Sequence, residues 1–160
     1  MQTSKEIISG YLLFNSRTLD MTLRGFNDEN SHTRPGDTGN SANFIFGHLV
    51  VHRIQIAKLL GIEFENPFPE LFDYKAKIRD SSTYPALSVI REVWDELNER
   101  VNDRIENLTG EELEADGPYE VKPFPKTIGG CLCFLIFHEA YHIGQIGYIR
   151  KFNDLEAAFG

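Results

Sequence analysis

Apolar residues recur at spacings of three and four along most of this chain, and no stretch alternates apolar with polar residues, so its elements must be packed helices. In the first such stretch, about Ser4 to Phe26, the positions Ile8, Leu12, Leu19, Leu23 and Phe26 share one face with Tyr11, Asn15 and Thr22. The second runs from about Ser41 to Leu60 and stops at Gly61, a residue suited to ending a helix. Its apolar residues, Phe44 through Leu60, cover nearly every side, which predicts burial on several faces, in a core and at a subunit interface. The third, about Pro85 to Leu108, carries Ile90, Trp94, Leu97, Val101, Ile105 and Leu108 as one stripe opposite Arg, Glu, Asp and Asn. The fourth runs from about Thr127, a suitable cap, to Lys151. Four helices of about 20 residues predict an all-α four-helix bundle. The connections 27–40, 61–84 and 109–126 are long enough for crossovers and for covering one end of the bundle. No linker or low-complexity segment interrupts 1–160, so a single domain is expected.

Charge and hydropathy narrow the function. Sixteen basic residues against twenty-four acidic ones give a net charge of −8, with no basic patch, which argues against a nucleic-acid partner. The longest apolar run, Cys131–Phe137, is far below the roughly 20 residues a membrane span needs. The first ten residues hold no apolar signal core, so a cytoplasmic protein is expected. Cys131 and Cys133 point about 200° apart on a helix, a poor geometry for a disulfide or a shared metal. They are expected to be buried small side chains.

The histidines carry the chemistry. His32 lies in the polar 27–40 connection and is expected to be solvated. The other four form two pairs, His48/His52 and His138/His142, each spaced i, i+4. That spacing puts two imidazoles about 40° apart on one helix face, within reach of one metal ion. Both pairs share their sectors with apolar residues: Phe44, Ile45, Ile56 and Leu59 on one helix, Cys131, Leu135 and Ile149 on the other. Charged imidazoles cannot crowd together in an apolar core and neutral ones need partners. A divalent metal meets both requirements, and all-nitrogen ligation favours Zn, Ni, Cu or Fe over Mg or Ca. Gln55 and Gln145 follow the second His of each pair by three residues and are candidates for supporting hydrogen bonds or substrate contacts.

The segment His138-Glu139-Ala140-Tyr141-His142 admits other readings. It matches the HExxH signature of zinc proteases, in which Glu139 would be the general base. Those enzymes need a further ligand, and position 148, where a third His would fall, is Tyr148. A di-iron carboxylate bundle needs two Glu-x-x-His pairs, and the only companion to Glu139/His142 is Glu29/His32 in the polar connection.

Taken together, NFIFGHLVVHR on the second helix and FHEAYHIGQIGYIRK on the fourth resemble the DinB-like (DinB/YfiT) superfamily of four-helix bundles, over about residues 4–151. The resemblance implies metal ligands at His48, His138 and His142, with one or more open positions on the metal. It leaves His52 as a fourth ligand, an acid/base or a packed neighbour. It also implies a homodimer and a small-molecule substrate; with imidazole ligands, Zn and Ni are the foremost metals expected. Characterised members of the family include transferases and isomerases that use low-molecular-weight thiols.

A divalent ion on three neutral imidazoles keeps its full charge. It can lower the pKa of a bound water for hydrolysis or deprotonate a thiol for S-transfer. Glu139 and His52 are the candidate catalytic side chains, although Glu139 lies about 60° around the helix from His142. Tyr11 and Asn15 are candidate pocket residues, and Asn15 must find a partner on its apolar face. Cys131 shares the azimuth of His138 but lies about 10 Å along the axis, too far to join both His on one ion. The competing expectation is a non-catalytic dimeric bundle whose metal or His cluster only stabilises the fold.

Overall fold

The computed structural model describes residues 3–36, 38–73, 75–76 and 79–159. Its long helices are α1 (Ser4–Leu23), α2 (Ala42–Leu59), α3 (Leu87–Glu106) and α5 (Ile128–Ile149), with a short α4 (Gly110–Glu114) between the last two. Among the described residues there is no strand, only an isolated bridge between Asp116 and Thr127.

Each start is set by local chemistry. Thr3 and Glu6 form a reciprocal capping box on α1: Glu6 N–H donates to Thr3 Oγ1, and Thr3 N–H donates to Glu6 Oε2 at 2.7 Å. Ser41 accepts from Phe44 N–H on α2, and Thr127 accepts from Gly130 N–H on α5. The entry to α3 lacks a local cap; Leu87 N–H donates instead to Asp28 Oδ1 in the first connection, at 2.7 Å. Gly61 takes a φ of 76° just after α2, a left-handed conformation that costs glycine little.

Side-chain pairs fix the directions. Asn15 meets Ile136 and Thr22 meets Arg150, so α1 and α5 run parallel. His48 lies beside His142 and Arg53 beside Glu139, so α2 runs antiparallel to α5. Phe46 packs on Trp94 and Leu60 receives Arg104, so α2 and α3 run parallel. Asp20 pairs with Arg91, and Ser16 with Asn98, so α3 opposes α1. The result is an up-down-down-up bundle packed in the cyclic order α1, α5, α2, α3. The topology requires long connections: α2 and α3 are parallel neighbours, which no tight turn can join, and the links from α1 to α2 and from α3 to α5 each cross to the diagonal helix.

The expected stripe of α3 is the buried one: Ile90, Trp94, Leu97, Val101 and Ile105 all face the core. The apolar circumference of α2 is covered by its own chain. Every residue from Ala42 to Val50 is buried, in part by Phe68 and Phe72 of the second connection. Most of the large exposed apolar side chains among the described residues lie on α1 and α5 and none on α2, whose apolar circumference is taken up by the core of its own chain rather than left for an interface. No helix of the described residues is long and apolar enough to cross a membrane.

Candidate metal centre

The antiparallel pairing of α2 with α5 brings the two histidine pairs together. His48, His138 and His142 each offer a ring nitrogen, and these nitrogens lie within 4.8 Å of one another. His142 Nε2 and His138 Nε2 are 3.2 Å apart. Two nitrogens each ~2.05 Å from a tetrahedral ion would sit ~3.3 Å apart, so this spacing suits two ligands of one metal.

Two of the rings are oriented from behind. His48 Nδ1 donates to the carbonyl of Phe72 at 2.7 Å, and His142 Nδ1 donates to Gln145 Oε1 at 2.7 Å. An imidazole that donates from Nδ1 presents its lone pair at Nε2, the form a metal needs. The third ring differs: His138 Nδ1 is buried without a hydrogen-bond partner.

Electrostatics keep the rings neutral. Burial, followed by the neighbouring His142 and His48, pushes His138 down from 6.5 to about 4. Burial also lowers His48, against the opposing effect of its bond to the Phe72 carbonyl. Burial lowers His142, against its bond to Gln145. Neutral rings have free lone pairs, so the donor set fits a divalent transition metal and needs no proton displaced at neutral pH.

His52 joins the cluster at its edge. Its ring lies 3.9 Å from that of His138 and 4.4 Å from that of His48, centroid to centroid, yet its nitrogens fall outside the three-nitrogen group. Its Nδ1 is buried without a partner, and burial, with the other three rings adding to it, lowers its pKa to about 2.

The remaining expected residues separate. Glu139, the candidate base, is fully buried, and both its oxygens are engaged by Arg53 at 2.7 and 2.9 Å. In this structure the carboxylate of the expected base is therefore held in an ion pair. Asn15 is buried and donates to the Ile136 carbonyl at 2.9 Å and to Glu139 Oε2 at 3.4 Å, so it belongs to the same polar core. Tyr11 is 58% exposed on α1, where it lines a shallow surface depression with Glu6, Ile7, Gly10 and Phe14, apart from the imidazole cluster. Gln55 is exposed on α2, in contrast to Gln145. Cys131 is buried with Sγ 3.3 Å from the Tyr119 carbonyl, and both cysteines are free thiols.

Phe72 and Arg53 were not legible as partners of the site. A backbone carbonyl in a long connection leaves no residue-type signal. The only trace of Arg53 is that it follows His52 directly, as Glu139 follows His138.

Fold and site together define a helical bundle with a cluster of imidazoles between two antiparallel helices, and three of those imidazoles could hold a metal ion. The family model of the DinB superfamily matches residues 12–146, and the chain belongs to that superfamily. No curated protein matches the chain.

Proposed function

We propose that this chain is a metal-dependent enzyme that holds a divalent transition metal, Zn or Ni, on His48, His138 and His142. The observation that carries the reading is the convergence of three neutral ring nitrogens within 4.8 Å, two of them on rings held from behind by Phe72 and Gln145. Three protein ligands leave a position open, which separates catalytic from structural sites. A metal there would lower the pKa of a water or a thiol placed beside it, supplying either hydrolysis or S-transfer on a small molecule. With Glu139 committed to Arg53, His52, whose ring lies 3.9 Å from that of His138 and is neutral, is left at the edge of the cluster as a ring that could contact a substrate.

The test is metal analysis of protein purified without a His tag or added metal, then cobalt substitution. About one metal per chain is expected, with loss in His138→Ala. A thiol-to-cobalt charge-transfer band on adding a small thiol supports S-transfer; its absence, with ester or amide hydrolysis present, supports hydrolysis. A closed shell of four imidazoles including His52 would favour the structural alternative.

We also infer a homodimer through α1 and α5, supported by Tyr11, Phe14, Phe137 and Tyr141, which leave 57–64% of their surface exposed. Sedimentation should show a dimer that Phe14→Glu converts to monomer.

A further inference from the structure

Gly47 immediately precedes His48, and its Cα faces the ring of Phe72 from the second connection. A Cβ at position 47 would lie 2.4 Å from Cζ of that ring and 2.5 Å from Cδ1 and Cδ2. Only a hydrogen fits there. Phe72 is fully buried, its ring wedged among Phe44, Phe68 and Tyr84 with centroids 5.5–5.9 Å away. Its carbonyl oxygen is the acceptor for His48 Nδ1, at 2.7 Å. A single residue of the connection therefore touches α2 twice in succession, with its ring on Gly47 and its backbone oxygen on His48.

We propose that Gly47 and Phe72 are positioning residues for His48. The ring, seated on bare backbone, holds the Phe72 carbonyl where it fixes the tautomer and rotation of the imidazole and leaves Nε2 to the metal. An imidazole with no such acceptor can turn about its Cβ–Cγ bond and place its proton on either nitrogen, and each freedom must be given up on binding. A bulkier residue at 47 would lift the ring and carry the carbonyl away with it. By linkage, a metal on His48 should in turn hold Phe72 in place. A ring that merely filled the core would affect stability and leave the imidazole unchanged.

The proposal rests on the metal-site reading, and its experiment separates the two. Zinc affinity is measured by chelator competition for the parent, Gly47→Ala, Phe72→Ala and the double variant. Phe72→Leu serves as a milder change should Phe72→Ala fail to fold. Each single change should weaken zinc binding about 10- to 100-fold, as loss of a group that orients a ligand does, with the double variant no weaker than the worse single. In nitrogen–proton spectra of the metal-free parent, the His48 Nδ1–H should be slow to exchange, and that protection should vanish in Gly47→Ala. A parent that binds zinc while the single variants stay within twofold of it overturns the positioning role, as do fully additive losses. A parent that binds no zinc overturns the metal site, and the Nδ1–H signal then decides the positioning role alone.

Discussion

Arg53 and Glu139 form a bidentate ion pair with both side chains at 0% exposure, each one residue beyond a histidine of the cluster. The guanidinium also donates to Asn98 Oδ1 at 2.7 Å and stacks over Trp94, 4.4 Å from its ring centre. The pair thus joins α2, α3 and α5 at the level of the imidazoles. Breaking a buried pair by removing one partner leaves a desolvated charge and typically costs about 3–5 kcal/mol. Glu139→Ala should therefore lower urea stability by about that amount. Replacing both residues, as in Arg53→Met with Glu139→Leu, should recover most of the loss, because two apolar side chains of similar volume carry no unpaired charge. Equal losses in the single and double variants would show that an unpaired buried charge is not the source of the cost.

Gln145 gives a test confined to the site. Its Oε1 accepts from His142 Nδ1, and that bond selects the tautomer whose Nε2 faces His138. Gln145→Leu removes the acceptor and should weaken zinc about 10- to 100-fold in a competition titration. Gln145→Glu keeps an acceptor at the same reach and should stay near the parent or bind more tightly. Equal weakening in both would assign the residue to packing.

The first connection does more than link two helices. Asp28 Oδ1 caps α3 through Leu87 N–H, in place of the local cap that Ala86 cannot supply. Asp28→Ala should cost about 1 kcal/mol, read as a lower urea midpoint at unchanged slope, the range typical of a lost N-cap. Asp28→Asn keeps the oxygen and should cost little.

What was legible in the sequence was whatever repeats along one helix. The stripe Ile90 to Ile105 and the two histidine pairs follow from helical spacing alone, and the family motif joined the pairs into one site. Phe26 shows the limit of such spacing: it is buried as expected, yet α1 has already ended at Leu23, because spacing reports which side faces the core and not which backbone bonds close. The short α4 announces itself only by the capping box of Thr109 and Glu112, with Leu113 its one buried residue. Contacts made across the fold, such as Arg53 with Glu139 or Phe72 with His48, depend on how helices and connections are turned against each other. One sequence does not encode that turn in any local period.

Acid should destabilise the metal-free chain through the imidazole cluster. Burial holds His138 at about 4 in the fold, against an ordinary 6.5 in the unfolded chain, and His48 and His142 are lowered as well. Below about 6.5 the unfolded state binds more protons than the native one, so stability rises with pH and is lost as pH falls from about 6.5 towards about 4 through His138, and further, towards about 2, through His52. Melting of chelator-treated protein should therefore show a falling Tm across that window. His138→Gln, which has no proton to take up there, should flatten the fall. Bound zinc should raise the Tm near neutrality, and that gain too should vanish in acid, because protons compete for the same nitrogens. A parent and a His138→Gln variant with the same pH slope would mean that the acid sensitivity of the fold arises elsewhere.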